Sequence, residues 1–387
     1  MAVKYPEERW AWVEVDLDAI KRNTRKFKHL VGPRNKLMCV VKADAYGHGA
    51  VPCAKAMHMA GANQFAVATV AEGVALRKGG INPDIPILIL NQPPLASIDT
   101  LIEYELMPSI FEMDFALVYG ERADSLGRVG RYHLIVDTGM TRTGALPEDT
   151  FELRRLLDFH RGLECAGTYT HFATADVIED WDFKLQCARF TEMLSAFDDA
   201  GLDPGLVHCD NTPGTILHPR MRFDMCRVGI GLYGLHPANT TRSRIELEPA
   251  MSVRGRATRV VEPQVGAGVG YGLTYRVPKQ GIRIATMGIG YADGLSRTLS
   301  GQMDVIVNGV RARQVGNICM DQFMFAVDPH GPRGYRPTRM VEVGDIVTVM
   351  GADGQEFIGA DELAKLMGTI NYEVVCDFGL RLEKVYV

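Results

Sequence analysis

The sequence predicts an α/β protein in which a (β/α)8 TIM barrel is followed by a mainly β C-terminal domain. Three observations support this fold class. About eight short apolar runs alternate with helical segments over about 200 residues, which is the strand count of a TIM barrel. After about residue 237 the rhythm changes to short alternating runs broken by glycine, as in β sandwiches and small barrels. The length of 387 residues also suits two domains better than one core.

The barrel strands are predicted from short apolar runs, because parallel strands that are buried on both faces are apolar throughout. Helical spacing separates the runs and is clearest at 182–200. Ahead of them, residues 12–16 alternate as a short strand, and 17–30 follow a helical pattern that Asp16 caps. A doubly wound sheet is the alternative, but no G-x-G-x-x-G follows the first barrel strand. The predicted barrel strands are 37–41, 65–70, 85–90, 106–111, 133–136, 164–171, 206–209 and 226–233.

The C-terminal domain is predicted to be all-β apart from one helix at 359–367, and a polar connector at 242–249 precedes it. We place the domain boundary near residue 240, with a barrel domain at 12–240 and a β-rich domain at 241–387. Residues 1–11, with the first strand, are candidates for packing with the second domain. The predicted strands of this domain are 251–261, 282–289, 303–307, 315–318, 323–327 and 346–350.

Composition excludes several classes of protein. The chain is 47% hydrophobic and 23% charged, with a net charge of -5, so it has no basic footprint for nucleic acid or an anionic membrane. No run of about 18 apolar residues predicts a membrane span. Residues 1–10 are charged and lack the apolar centre of a signal peptide. The eight cysteines form no C-x-x-C pair and are typical of buried thiols. We therefore predict a cytoplasmic protein.

Functional side chains of a (β/α) barrel collect at the C-terminal ends of its strands. Lys42 follows the first predicted barrel strand, where burial lowers the pKa of an amine and frees its lone pair. A solvated lysine at a strand end is the alternative, and the strand pattern alone favours it. The other strand ends supply Asp44, Tyr46, Asp137, Arg142, His171, Asp176, His208, Asp210, Asn211, Thr212, Arg227, Gly229, Ile230 and Tyr233.

Two kinds of site are compatible with these residues. Glycine-framed amides and hydroxyls after strands seven and eight are typical of a phosphate site, and a lysine elsewhere at the barrel mouth then indicates pyridoxal phosphate held as a Schiff base. Two histidines, His171 and His208, with Asp176 and Asp210 are also compatible with a metal-dependent hydrolase. The residue types by themselves leave both hypotheses open.

A family resemblance separates the two hypotheses. V-V-K-A-D-A-Y-G-H-G (40–49) resembles the pyridoxal-lysine signature of alanine racemases, which are fold-type III pyridoxal-phosphate enzymes. The resemblance covers nearly the whole chain, and its motifs occur in the family's order. They are V-D-T-G-M-T-R-T-G (136–144), Y-T-H-F-A-T-A-D (169–176), V-H-C-D-N-T (207–212), R-V-G-I-G-L-Y-G (227–234), V-G-Y-G-L-T-Y (269–275), G-Y-A-D-G (290–294), V-G-N-I-C-M-D-Q (315–322) and T-I-N-Y-E-V (369–374).

The resemblance implies a role for each matching residue and no metal. Lys42 would hold pyridoxal 5'-phosphate and act as the base for the D-substrate, and Tyr271 would be the base for the L-substrate. Arg142 and the backbone of Met320 would bind the substrate carboxylate. Arg227 would face the pyridine nitrogen, with His171 supporting that side of the ring. The phosphate would be held by Tyr46, Thr212, Gly229, Ile230 and Tyr372, and Tyr291 would line the access channel.

The resemblance also implies partners and a pathway. Family members racemise L-alanine to D-alanine, which supplies peptidoglycan. They are head-to-tail homodimers in which the second domain of one subunit completes the site of the other. Tyr271 and Met320 would therefore act across the interface. We expect a small amino acid as substrate and no nucleic acid or membrane partner.

The proposed residue types suit racemisation on chemical grounds. Two bases on opposite faces of the α-carbon can remove a proton from one face and deliver one to the other. A tyrosine, whose free pKa is near 10, needs nearby cations to act as a base. An arginine at the pyridine nitrogen would disfavour its protonation and so restrain side reactions such as transamination.

Three positions depart from the family pattern. Ile135 stands where the family commonly has a carbamylated lysine that positions the substrate-binding arginine, so Arg142 must be held in another way. Thr212 replaces a usual serine and keeps its hydroxyl, and Thr141 replaces a usual glycine. These departures leave open a serine or broad-specificity racemase, a pyridoxal-phosphate decarboxylase or D-amino-acid aldolase of the same fold, or a cofactor-binding protein without turnover.

Overall fold

A computed structural model describes residues 9–177, 180–332, 335–337, 339–379 and 381–387. The chain divides into two compact units. Of the described residues, one unit comprises those in Asp18–Ala45 and Gly49–Glu248, and the other comprises those in 9–17, Tyr46–His48 and Pro249–Val387. Residues 1–8, which the sequence analysis expects to pack with the second domain, lie outside the described residues. Among the described residues, no helix is both long and apolar enough to cross a membrane.

The first unit is a nearly closed barrel of eight parallel strands, as the sequence predicts. The first seven strands pair consecutively, and the eighth strand pairs with the first. Between the seventh and eighth strands, two backbone hydrogen bonds cross the seam: Asp224 N to Val207 O at 3.0 Å and Arg227 N to Asp210 O at 2.9 Å. The strands are Lys36–Val40, Gln64–Val67, Ile87–Ile89, Leu106–Ile110, Gly130–Val136, Leu163–Thr170, Leu206–His208 and Met225–Val228.

Helices surround the barrel because each parallel strand needs a crossover to reach the next. The strands are almost wholly buried, which is why apolar runs predict them well. Their carboxyl ends face one side, where the loops of the candidate site begin. The helices are Leu17–Val31, Ala50–Met59, Val70–Lys78, Ile98–Glu103, Met113–Ser125, Pro147–Leu157, Trp181–Asp199, Thr212–Leu217 and Asn239–Arg242.

The second unit is built on a nine-stranded, mostly antiparallel sheet. A separate two-stranded ribbon joins Gly268–Val269 to Tyr275–Arg276. Two helices, Ala360–Met367 and Asn371–Asp377, also belong to this unit. The strands of the large sheet are Ala11–Val15, Met251–Val261, Arg283–Met287, Asp304–Val307, Val310–Val315, Phe323–Val327, Ile346–Asp353, Glu356–Ile358 and Glu383–Tyr386.

The first strand of the chain lies in this sheet. Ala11–Val15 pairs antiparallel with Met251–Val261 and parallel with Glu383–Tyr386. The compact barrel unit therefore begins at Asp18, beyond the predicted start at residue 12, and it ends at Glu248, beyond the predicted boundary at 240. Pairing between strands so far apart in sequence leaves no local signal, because both partners read as ordinary half-buried strands.

Two local predictions in this unit differ from the structure. The strand predicted at 315–318 lies at Val310–Val315, because Gly316 turns the chain with a φ of +70°. The helix Asn371–Asp377 forms where the sequence analysis identifies only a motif, and it places Tyr372 in its first turn.

Candidate active site

Lys42 follows the first barrel strand and begins a left-handed turn. The strand Lys36–Val40 ends two residues before it, and Lys42 itself is half-buried. The next residues, 43–46, have φ angles between +51° and +57°. L-residues avoid this conformation, at a cost of about 1–2 kcal/mol each. Such a turn persists only where surrounding contacts hold it.

Glu72 and Asp44 supply those contacts. Glu72 Oε1 accepts a hydrogen bond from Ala43 N at 2.7 Å, while its Oε2 accepts from Thr69 N at 3.0 Å at the start of a neighbouring helix. Asp44 Oδ1 accepts from Ala50 N at 2.7 Å. The backbone that carries Lys42 is therefore set by the next β/α unit as well as by its own strand.

Arg227 is a buried cation whose hydrogen-bond partners are neutral groups. Its Nη1 donates to His208 Nδ1 at 2.8 Å, and its Nη2 donates to Thr170 O at 2.8 Å and Cys209 O at 3.1 Å. The guanidinium also lies over the Tyr169 ring, 4.8 Å from its centroid. Burial lowers the pKa of Arg227, but a guanidinium stays protonated in proteins. A fixed positive charge therefore sits inside the barrel.

A chain of neutral histidines continues from Arg227. Because the guanidinium can only donate, His208 Nδ1 is an acceptor, and its Nε2–H donates to His133 Nδ1 at 2.8 Å. Burial lowers the pKa of His133 to about 3. Burial and the charge of Arg227 hold the pKa of His208 well below its ordinary value. Both nitrogens of His208 are thus engaged, and it has none left for a metal.

His171 lies where three cations act together. Burial and nearby charges hold its pKa well below the ordinary value. Those charges belong to Arg227, Arg142 and Lys42, in order of decreasing effect. Its Nδ1 is 3.4 Å from Arg227 Nη2. The structure therefore brings the predicted barrel residues Lys42, Arg142, His171 and Arg227 to the same end of the barrel.

Arg142 is exposed on a tight loop. Asp137 Oδ1 accepts hydrogen bonds from Gly139 N at 2.9 Å and Thr141 N at 3.0 Å, and Thr141 takes a φ of +57°. Within the described part of the chain, the Arg142 side chain makes no hydrogen bond or ion pair. Ile135 is buried on the strand Gly130–Val136 and offers it no polar group. Arg142 therefore keeps its full capacity for an anionic ligand.

Thr212, Gly229 and Ile230 adjoin at the ends of the last two strands. Gly229 N donates to Thr212 Oγ1 at 3.0 Å, which leaves the hydroxyl hydrogen for another acceptor. The following Gly231 has no room for a side chain, since a Cβ there would lie 2.5 Å from the Phe27 ring and 2.9 Å from Thr212 Cγ2. The structure thus joins these loops into one buried corner.

The second unit carries the other predicted site residues. The rings of Tyr46 and Tyr372 lie 6.1 Å apart at 55°. Burial raises the pKa of Tyr46 above its ordinary value, and Tyr372 adds to the effect. Gly47 passes so close to this unit that a Cβ would lie 2.2 Å from Val375 O. These contacts explain why residues 46–48 pack with this unit.

Tyr271, Tyr291 and Met320 lie on three linked loops of the second unit. Tyr291 N donates to Cys319 O at 3.0 Å. The side-chain amide of Asn317 donates to Tyr271 O at 2.7 Å. The three side chains are 72%, 42% and 53% exposed, respectively. Large apolar side chains that are left exposed together indicate a surface for a ligand or a partner.

The metal-site hypothesis finds no support. In the described ranges, no group of three or more His, Cys, Asp or Glu side chains is arranged to hold a metal ion. Asp210 is buried beside Cys226, 4.0 Å from its sulfur, and the two histidines of the hypothetical set belong to the Arg227 network.

Sequence reasoning missed several residues that shape the site. His133 and Tyr169 lie on barrel strands, and Tyr169 stacks on His208 with ring centroids 4.7 Å apart. Tyr169 occurs in the motif at 169–176 without an assigned role. The other signal for both residues is their position, because inward-facing residues of neighbouring strands meet in layers inside a barrel. Glu72 gives no functional signal, and Asn317 appears only as part of the motif at 315–322, because both side chains act on backbone atoms of another loop.

Comparisons with known proteins agree with this arrangement. The family model "Alanine racemase, N-terminal domain" matches residues 15–237, and "Alanine racemase, C-terminal domain" matches 250–386. An alanine racemase of Carboxydothermus hydrogenoformans is 39% identical over 381 residues, which cover 98% of this chain and 100% of that protein.

Solved structures extend the likeness to three dimensions. The crystal structure of alanine racemase from Bacillus anthracis with bound L-Ala-P superposes with a TM-score of 0.90 at 36% identity, covering 99% of this chain and 96% of that one. A histidine racemase from Leuconostoc mesenteroides reaches a TM-score of 0.89 at 28% identity over 100% of both chains. The chain therefore belongs to the alanine racemase family and is an amino-acid racemase.

Proposed function

We propose that this racemase depends on pyridoxal 5'-phosphate held on Lys42 and that it converts L-alanine to D-alanine with two bases. The observation that carries the proposal is the convergence of Lys42, Arg142 and Arg227 on His171 at one end of the barrel. The fixed charge of Arg227 would face the ring nitrogen of the cofactor, and the guanidinium of Arg142 would bind the carboxylate of the amino acid. The amine of Lys42 would bond to the carbonyl carbon of the cofactor.

The residues present fit pyridoxal phosphate. The Thr212 hydroxyl keeps a hydrogen to donate, and it lies in the corner with Gly229 and Ile230 that would hold the phosphate. Tyr46 and Tyr372 would contribute their hydroxyls to the same group. When bound, pyridoxal phosphate withdraws electrons from the substrate α-carbon and makes its proton acidic. The protein residues then decide which face loses the proton and which face receives one.

Arg227 would limit how strongly the pyridine ring of the cofactor withdraws electrons. A carboxylate at a pyridine nitrogen would favour a protonated ring, whereas a guanidinium can only donate a hydrogen bond. The neutral partners of Arg227 leave its charge uncompensated by any hydrogen-bonded carboxylate in the described structure. The ring nitrogen would remain an acceptor, which suits proton transfer and disfavours transamination.

Two bases on opposite faces would carry out the inversion. In the D-to-L direction, Lys42 would take the α-proton from one face and Tyr271 would deliver a proton to the opposite face. In the L-to-D direction, Tyr271 would take the proton and Lys42 would deliver one. Because Tyr271 and Met320 are largely exposed on their own unit, we propose that they complete the site of a second copy in a head-to-tail homodimer.

The substrate would be anchored by Arg142, whose guanidinium binds a carboxylate through two parallel hydrogen bonds. The backbone of Met320 would bind the same carboxylate from the partner. D-alanine for peptidoglycan is the expected product, and the cytoplasm is its expected location. The likeness to a histidine racemase keeps a broad-specificity or serine racemase as the second candidate, because that protein shares the fold and is named for a larger side chain.

Reduction with borohydride tests the cofactor proposal. The purified protein should be yellow, and borohydride should attach the cofactor irreversibly to Lys42, located by peptide mass. Lys42→Ala should abolish racemisation, whereas Lys55→Ala, at an exposed lysine on a barrel helix, should not. A colourless protein that takes up no pyridoxal phosphate would sink the proposal.

Chiral analysis over a panel of L-amino acids tests the reaction and the substrate. We expect D-alanine to form from L-alanine without a change of mass. Loss of carbon dioxide would indicate a decarboxylase, and formation of an aldehyde with glycine would indicate an aldolase. Faster racemisation of serine, or of several amino acids alike, would favour the second candidate. Bound cofactor with no turnover would contradict the proposed reaction.

A further inference from the structure

We infer that Asn317 is a positioning residue for Tyr271: its side-chain amide holds the loop that carries Tyr271 and so sets where the phenol meets the substrate. The inference rests on the proposed function, in which Tyr271 exchanges the proton of the L-enantiomer.

The loop that carries Tyr271 is weakly held by its own structure. It joins the strands of a ribbon with only two pairs of residues, Gly268 with Arg276 and Val269 with Tyr275. Ribbons this short have little stability of their own. Gly270 and Gly272 take φ angles of +70° and +73°, so the residues that flank Tyr271 do not stiffen the backbone.

Packing does not locate the Tyr271 side chain within its own unit either. The residue is 72% exposed there. A backbone hydrogen bond from Leu273 N to Gly270 O, at 3.1 Å, closes the loop. The position of the phenol therefore depends on what holds the main chain of Tyr271.

Asn317 holds the main chain of Tyr271, and the segment that carries Asn317 is itself well packed. Its Nδ2 donates to Tyr271 O at 2.7 Å. The preceding Gly316 approaches the ribbon so closely that a Cβ would lie 2.8 Å from Val269 O. Val315 and Val269 share one buried apolar cluster with Val277, Ile282 and Ile284. The amide of Asn317 thus connects a loose loop to the core of the unit.

The segment that contains Asn317 also leads to Met320. Cys319 Sγ donates to Asn317 O at 3.5 Å, and Met320 O accepts from Ala292 N at 3.0 Å. In the proposed function, the Met320 backbone binds the substrate carboxylate while Tyr271 exchanges the α-proton. Asn317 therefore couples the carboxylate-binding backbone to the proton-transferring phenol, and such alignment governs the rate of transfer.

Two variants of the full-length holoenzyme test the inference. Asn317→Ala removes the donor, and Asn317→Asp replaces it at nearly the same size with an acceptor. In each, we expect kcat for alanine racemisation to fall about tenfold with little change in KM, because alignment rather than binding is lost. Gln302→Ala is the matched control, since its side-chain amide also donates to a backbone carbonyl, Thr298 O at 2.8 Å, on an exposed part of the same unit.

Proton exchange separates positioning from general damage. In D2O, D-alanine should still exchange its α-hydrogen without inversion, because Lys42 performs that step. The ratio of exchange to racemisation from D-alanine should therefore rise about tenfold in both variants. If exchange and racemisation fall together, or if neither changes, the inference is wrong.

Amide hydrogen exchange provides a readout that is independent of activity. Residues 270–273 should exchange about tenfold faster in Asn317→Ala than in the parent protein, while the exchange of the barrel strands stays the same. Unchanged exchange of this loop would overturn the inference even in a fully active racemase. If the parent protein racemises no amino acid, the proposed function fails, and this measurement still decides whether Asn317 holds the loop.

Discussion

Replacing Asp210 by asparagine should remove a large pH dependence from the stability of the barrel. Asp210 follows the strand Leu206–His208 and is completely buried. Its Oδ1 has no hydrogen-bond partner in the described structure. Burial raises the pKa of this carboxyl to about 7, although the charges of Arg227 and Arg222 lower it in part.

The magnitude follows from linkage. An unfolded aspartate has a pKa near 3.9, so between about pH 4 and pH 7 the folded protein holds a proton that the unfolded chain has lost. The free energy of unfolding therefore falls as the pH rises through this window and levels off above it. A shift of roughly three units corresponds to about 4 kcal/mol over the whole window.

Thermal unfolding of the parent protein and of Asp210→Asn between pH 4.5 and pH 8 measures this effect. Between pH 4.5 and pH 8, we expect the Tm of the parent protein to fall by on the order of 10 °C more than the Tm of Asp210→Asn, because asparagine cannot titrate. Asp99→Asn, at an exposed carboxylate on the barrel surface, should track the parent protein at every pH. Parallel curves for the parent protein and Asp210→Asn would refute the reasoning.

Two further substitutions test the loops around the site. Glu72→Gln leaves one acceptor oxygen where Ala43 N and Thr69 N use two, so we expect the free energy of unfolding to fall by about 1–3 kcal/mol. Pyridoxal phosphate should also be released faster on dialysis, as followed by absorbance. Unchanged stability and cofactor retention would contradict the role of Glu72 in holding the turn after Lys42. Thr141→Gly removes a β-branched residue from a φ of +57°, so the Tm should rise by about 2–4 °C, corresponding to about 1 kcal/mol; a lower Tm would show that the Thr141 side chain stabilises the loop.

The agreement between sequence and structure is best for the barrel strands. Each predicted run overlaps an observed strand, and the run at 206–209 differs from Leu206–His208 by a single residue. Local patterns succeed here because strands buried on both faces must be apolar along their whole length. The same reasoning placed Lys42 at a strand end, since an isolated charge after an apolar run marks the point where the chain leaves the core.

The agreement is poorest where two distant segments define a feature together. The left-handed turn after Lys42 depends on a carboxylate from Glu72, and nothing in residues 43–46 demands it. The neutral state of His208 depends on Arg227 and His133, which lie on two other strands. The hold of Asn317 on Tyr271 likewise joins loops that are far apart in the chain.

The sequence by itself determined the fold class, the order of the strands and the residue types at the barrel mouth. These properties depend on hydrophobic periodicity and on motifs, which are local. Only the tertiary structure decided which strands the first strand pairs with and the protonation of the buried histidines. It also decided the backbone strain beside Lys42 and the freedom of Arg142 to bind an anion. Those properties depend on which groups meet across the fold, because burial and hydrogen bonding are set by neighbours in space.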